Sequence, residues 1–171
     1  MSMCYWMIEG IGLCASSLEP HLSKEKVVRF LHKQFPNNEE IAELVRTGNF
    51  EELDLEGLTC AWDRPYGTGS VSLRDILYSF FDGRIGDLLA HCDDTDTLTF
   101  CDDGDGNEYF YYPPSMPWHR TENEPDSVEE VHRRIIKAVQ CLTDLSETEI
   151  EKMINDDLYV CGCGLYALRR S

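Results

Sequence analysis

The feature that most constrains the fold is a central segment with the pattern of a β-hairpin. Thr97–Cys101 and Glu108–Tyr112 are short runs rich in β-branched and aromatic residues, and Asp-Asp-Gly-Asp-Gly-Asn separates them. A glycine-containing turn between two such runs is typical of an antiparallel hairpin. Two prolines follow Tyr112 at once, and proline cannot continue a hydrogen-bonded ladder. The segment 97–112 therefore predicts two paired strands.

Helical patterns flank this hairpin on both sides. Apolar residues at helical spacing follow five residues that suit the N-cap position: Ser23, Asn37, Ser72, Ser127 and Ser146. Apolar runs at 3–14, interrupted by Gly10 and Gly12, and at 158–163 predict further strands. We predict an α+β fold with a small, mainly antiparallel sheet of about four strands covered by about five helices. One domain is expected over residues 1–171, with a frayed tail at 165–171.

The chain contains eight cysteines, many for 171 residues. Disulfides need an oxidising compartment, and residues 1–15 contain Glu9 but no basic residue, which argues against a secretory signal. We therefore expect reduced thiols, a cytoplasmic protein and no cofactor. The paired Cys-x₂₋₄-Cys knuckles of structural zinc are missing. A zinc site assembled in space is an alternative, and its candidate ligands are Cys4, Cys14, Cys161 and Cys163.

Catalytic signatures are missing from the sequence. It contains neither Gly-x-Ser-x-Gly nor His-Glu-x-x-His, and the glycine-containing segment 67–70 lacks the lysine of a phosphate-binding loop. The acidic surroundings of Cys92 should raise the pKa of its thiol, which argues against a nucleophile there. A binding protein is therefore favoured over an enzyme.

The strongest functional signal is negative charge. The formal net charge is −17, from 32 acidic and 15 basic residues. Eight carboxylates and no basic side chain lie between Arg84 and Arg120, and eight more lie in residues 37–63 with a single arginine. Clustered negative charge favours a basic partner and disfavours nucleic acid or an anionic membrane.

Aromatic residues adjoin the acidic hairpin. Alternate residues of Tyr109–Tyr112 face opposite sides of a strand, so one side can fill the core while the other contacts a partner or supports self-association. The candidate partner-binding residues are the carboxylates around the hairpin and the nearby aromatic side chains: Asp93, Asp94, Asp96, Asp102, Asp103, Asp105, Glu108, Tyr109, Tyr111 and Trp118.

In size, charge and lack of a catalytic motif, the chain resembles the small acidic inhibitors of phages and mobile elements, the anti-CRISPR and antirestriction proteins. No sequence motif carries this resemblance. It implies a non-enzymatic protein that blocks the positively charged, nucleic-acid-binding surface of a nuclease or DNA-binding effector. Three alternatives remain: an immunity protein that neutralises a basic toxin, a zinc-binding protein or metalloenzyme, and a protein whose acidity only keeps it soluble.

Overall fold

The computed structural model describes residues 5–50, 85–104, 106–114 and 122–163. The strands are β1 (Tyr5–Cys14), β2 (Thr99–Asp102), β3 (Glu108–Tyr112) and β4 (Asn155–Cys163). The helices are α1 (Lys24–Gln34), α2 (Glu39–Thr47), α3 (Ile85–Cys92), α4 (Val128–Gln140) and α5 (Glu147–Glu151), and a 3₁₀ helix (Ala15–His21) follows β1. The strands form one antiparallel sheet in the order β2-β3-β1-β4. The predicted α+β fold is confirmed.

The predicted hairpin is present, and its strands are paired in register with Phe100 opposite Phe110. Pairing of Asp102 with Glu108 extends the ladder one residue beyond the predicted first strand. Gly104 and Gly106 have φ values of 79° and 99°, which side chains disfavour. The two glycines therefore allow the tight connection that sets this register.

The first strand lies between β3 and β4, and its pairing with β4 shifts in register between Gly10 and Gly12, where the sequence predicts a bend. From Gly10 to Gly12, β1 advances two residues while β4 advances three, so β4 bulges at Asp156 and Asp157. A Cβ atom on Gly12 would lie 2.4 Å from the backbone oxygen of Phe110, so only glycine fits there. The last strand begins at Asn155, three residues before the predicted start.

The helix ends follow local capping chemistry. The Ser127 side chain accepts the Glu130 N–H at the start of α4, and Ser146 forms the predicted capping box of α5. Ser23 precedes α1 as predicted, but its side chain makes no cap hydrogen bond. The cap of α2 is Asn38 rather than the predicted Asn37, because the Asn38 side chain accepts the Ile41 N–H at 3.0 Å. The helix predicted after Ser72 lies outside the described residues, except for its end in α3. The predicted tail 165–171 also lies outside them.

The main hydrophobic core lies between the helices and one face of the sheet. Fully buried side chains from both layers form it: Leu13, Leu18, Leu31, Ile41, Leu88, Phe110, Ile135 and Leu142. On the opposite face, a small second cluster contains Ile8, Tyr111 and Leu158. None of the described helices is long and apolar enough to cross a membrane.

Candidate functional site

The predicted acidic site begins with a carboxylate that faces inward. Asp93 follows α3 and accepts backbone N–H hydrogen bonds from Thr95 at 3.0 Å and from Thr97 and Leu98 at 2.8 Å. Burial opposes ionisation of Asp93, but a hydrogen bond from the Thr95 hydroxyl and these backbone hydrogen bonds outweigh it and hold the pKa below its ordinary value. Asp93 therefore organises the connection to β2.

The next two predicted carboxylates lie on the surface. Asp94 accepts a hydrogen bond from Lys137 Nζ at 2.7 Å, and this contact lowers the pKa of Asp94. Its charge is thus compensated by α4. Asp96 is exposed and has an unusual positive φ of 56°.

Within the hairpin turn, the carboxylates shape the backbone. Asp102 accepts the Gly104 N–H at 3.1 Å, and Asp103 accepts both the backbone and side-chain N–H groups of Asn107. Two other predicted contact residues, Asp105 and Trp118, lie outside the described residues. Asp102 and Asp103 therefore have a structural role in the turn.

Two of the predicted contact residues are buried, which corrects the sequence-based surface. Glu108 and Tyr111 are each 5% exposed. Glu108 accepts the backbone N–H of Gly86 at 2.8 Å, and Tyr111 belongs to the second hydrophobic cluster. Tyr109 packs against the same cluster, and burial raises its pKa. The aromatic side chains that the sequence analysis assigned to partner contact therefore mostly pack inside the protein.

The strand register separates the predicted zinc ligands. Cys161 pairs with Met7 and Cys163 pairs with Tyr5, whereas Cys14 lies at the other end of β1. Seven residues from Met7 to Cys14 span roughly 23 Å at about 3.3 Å per residue. Because zinc–sulfur bonds are only about 2.3 Å long, Cys14 cannot share an ion with the β4 cysteines.

Cys4 lies outside the described residues, as do the side chains of Cys161 and Cys163. In the described part of the chain, no three His, Cys, Asp or Glu side chains converge as metal ligands. Cys14 is therefore excluded as a ligand of the candidate zinc site.

A different acidic region forms on the helix-covered face of the sheet. The described helices pack against the end of that face near Leu13, whereas Met7 and Tyr159, farther along β1 and β4, are exposed. Met7 is 58% exposed there, and Tyr159, paired with Glu9, is 61% exposed. We call Met7, Glu9, Asp156, Asp157 and Tyr159 the β1–β4 surface.

A groove of about 340 Å³ opens at the β4 bulge. Its lining includes three carboxylates and two phenol rings: Glu9, Asp156, Asp157, Tyr112 and Tyr159. Two contacts fix the walls. The Tyr112 hydroxyl donates to Glu124 at 2.5 Å, and Asp156 Oδ1 lies 2.6 Å from Nε2 of His132 on α4. The bulge thus gathers carboxylates beside an aromatic ring.

Charge is divided unevenly between the sheet and the helices. The four described strands carry no lysine or arginine. Most basic side chains on the described helices form ion pairs with carboxylates on the helices or in their connections: Lys26–Asp144, Arg29–Glu25, Arg46–Glu43, Arg133–Glu130, Arg134–Glu130 and Lys137–Asp94. Several carboxylates on or beside the helices are therefore paired with a lysine or arginine, whereas within the described residues Glu9 and Asp157 pair with neither.

The two acidic regions are separate. The hairpin strand β2 and the bulged strand β4 form opposite edges of the sheet. Three strand spacings of about 4.8 Å put these edges roughly 14 Å apart. The structure therefore does not join Asp102 and Asp103 to Asp156 and Asp157 in one patch.

The sequence contained a signal for the groove. Glu9 is a lone acid in an otherwise apolar strand, and Asn155-Asp156-Asp157 immediately precedes the predicted final strand. The bulge that unites them depends on the pairing of β1 with β4, which no local pattern specifies. Comparison of the chain with protein-family models, curated proteins and solved structures found no match.

Proposed function

We propose that this chain is a non-enzymatic acidic binding protein that covers the positively charged, nucleic-acid-binding surface of another protein. The partner class is a nuclease or DNA-binding effector, as for small acidic inhibitors of the anti-CRISPR and antirestriction kind. One observation carries the proposal: the groove at the β4 bulge has three carboxylates, while the described strands carry no lysine or arginine.

The groove chemistry suits an arginine or lysine side chain of the partner. Carboxylates bind guanidinium groups through charge-assisted hydrogen bonds, and a tyrosine face attracts a cation placed over the ring. Glu9 lies opposite Tyr159 on adjacent strands, so both kinds of contact are available at one place. Exposed Met7 adds apolar area beside them. A basic surface with protruding arginines is the complementary partner.

The proposed contact surface differs from the hairpin surface that the sequence predicts. Glu108 and Tyr111 are buried, Asp93 is engaged by backbone N–H groups, and Asp94 is paired with Lys137. The β1–β4 surface is thus the primary contact. The hairpin end, with Asp102 and Asp103, lies at the opposite edge of the sheet and is a secondary contact at most.

The test is a pull-down from lysate of the native host, followed by a DNA-binding assay on the captured protein. The bait variants are Glu9→Lys/Asp157→Lys and a matched control, Glu147→Lys/Glu151→Lys, with the same change in net charge on exposed α5 positions. We expect the first variant to weaken capture roughly tenfold or more and the control to retain it, because opposed like charges are strongly unfavourable.

The captured partner should bind duplex DNA, and the wild-type chain should displace that DNA in a gel-shift competition. Capture should weaken as salt rises, since exposed charges are screened. Equal loss of capture in both variants would show that the partner responds only to net charge, and it would contradict a specific contact at the groove. A captured basic toxin that does not bind DNA would favour the immunity-protein alternative.

A further inference from the structure

Two cysteines from distant parts of the chain meet where α3 packs against α4. Cys92 is the last residue of α3 and is buried in the main core, while Cys141 directly follows α4 and is partly exposed. Both are free thiols, Cys141 packs against the core cluster that contains Cys92, and a hydrogen bond between the two side chains couples their ionisation. The fold therefore creates a dithiol from residues 49 positions apart in the sequence.

Charged groups from three elements surround this pair. Lys137 lies one turn before Cys141 on α4, Lys33 approaches from α1, and Asp94 follows Cys92. The hydrogen bond from Cys92, together with the charges of Lys137 and Lys33, lowers the pKa of Cys141 to about 6, against the opposing effects of burial and Asp94. The hydrogen bond to Cys141 and burial raise the pKa of Cys92.

The two segments that carry the thiols, α4 and the connection after α3, are joined by hydrogen bonds. Nη1 of Arg134 on α4 donates to the hydroxyls of Thr95 and Thr97 at 3.2 and 2.9 Å, in the connection that follows Cys92. The Lys137–Asp94 contact adds a second tie between α4 and this connection. Hydrogen bonds from two side chains of α4 thus join the segment that ends at Cys141 to the segment that follows Cys92.

We propose that Cys141 and Cys92 form a peroxide-reactive dithiol, in which Cys141 reacts first and Cys92 then closes a disulfide with it. The thiolate of Cys141 attacks one oxygen of hydrogen peroxide, the O–O bond breaks, and hydroxide leaves, giving a sulfenic acid. Cys92 then loses its proton and attacks the Cys141 sulfur. The S–S bond forms, the S–O bond breaks, and the departing hydroxide takes the proton as water.

The electrons and atoms balance: the two thiols lose two electrons, and hydrogen peroxide is reduced to two molecules of water. The division of roles follows from exposure. Cys141 is accessible to a small oxidant, whereas Cys92 is 9% exposed and can act from within the protein. Oxidation of Cys141 removes the thiolate that raises the pKa of Cys92, so the second step becomes easier after the first.

The first test measures the rate of iodoacetamide alkylation at Cys141 against pH, by peptide mass spectrometry on the full chain. About half of Cys141 is thiolate at pH 6, compared with well under 1% of an ordinary cysteine. The lower nucleophilicity of a low-pKa thiolate removes about tenfold of this advantage. We therefore expect alkylation at pH 6 to be about tenfold faster than that of an unperturbed cysteine peptide, with the rate half-maximal near pH 6.

The second test treats the wild-type protein with hydrogen peroxide and maps its disulfides. A linked Cys92–Cys141 peptide is expected. Cys92→Ser should instead accumulate a dimedone-reactive sulfenic acid at Cys141, and Cys101→Ser, a matched change at another partly exposed cysteine, should leave the disulfide intact. A half-maximal alkylation rate above pH 8, or peroxide products without the Cys92–Cys141 link in the wild type, would overturn the proposal. Both measurements on the wild type hold even if a variant fails to fold.

Discussion

The carboxylate of Glu108 accepts a hydrogen bond from the backbone N–H of Gly86, with 2.8 Å between oxygen and nitrogen. Gly86 lies in the first turn of α3, where backbone N–H groups have no partner within the helix. A carboxylate also complements the positive end of the helix dipole. The hairpin therefore caps the helix that packs against it, from a position 22 residues along the chain.

Replacing Glu108 with alanine should lower the free energy of unfolding by about 2 kcal/mol, because a buried N–H group loses a charged acceptor. Urea denaturation followed by circular dichroism measures this change. Glu122→Ala, which removes an exposed carboxylate, should leave the unfolding midpoint unchanged. Equal midpoints for the two variants would show that the Glu108–Gly86 contact does not stabilise the fold.

Gly86→Ala should also destabilise the protein, although alanine normally favours a helix by about 1 kcal/mol over glycine. A Cβ atom at this position would lie 2.8 Å from Cβ of Phe100, so α3 would have to move away from β2. We expect a net loss of about 1–2 kcal/mol, in the range found for overpacked cores. A rise in melting temperature for Gly86→Ala would contradict the close approach of helix and strand.

The stability of the fold should depend on the ionisation of Asp93. Its pKa is held below the ordinary value of 3.8, so its stabilising contribution is complete above that value and is lost as pH falls through the lower native pKa. Asp93→Asn removes this titration. Urea midpoints measured between pH 2 and 6 should therefore fall less steeply with acidification in the variant. Parallel profiles for the two proteins would argue against the prediction.

Lys137→Met should move the half-maximal alkylation of Cys141 to higher pH, because the positive charge on Lys137 favours the Cys141 thiolate. The same rate measurement as for the wild type checks this. Lys152→Met removes an exposed charge that is not among the causes of the low Cys141 pKa, and its profile should match the wild type. An unshifted profile in Lys137→Met would mean that the hydrogen bond from Cys92 and the charge of Lys33 lower the pKa of Cys141 without help from Lys137.

Local chemistry made much of the fold predictable from the sequence. The hairpin was identifiable because Gly104 and Gly106 permit its turn, and Ser127 and Ser146 marked helix starts by hydrogen bonds within a few residues. The error at Asn37 arose because two adjacent asparagines suit the cap equally well in sequence. Only the Asn38 side chain reaches the Ile41 N–H.

The candidate sites were far less predictable, because each depends on segments that are distant in the chain. The negative charge was evident from composition, but the role of each carboxylate was not: Glu108 points inward to Gly86, whereas Glu9 and Asp157 line one groove at the β4 bulge. The meeting of Cys92 and Cys141 likewise requires α3 to pack on α4. The sequence by itself determined which elements form and the sign of the surface charge, since both follow from residues close in the chain. Only the tertiary structure decided which carboxylates are exposed and which thiols touch, because strand register and helix packing set those neighbours.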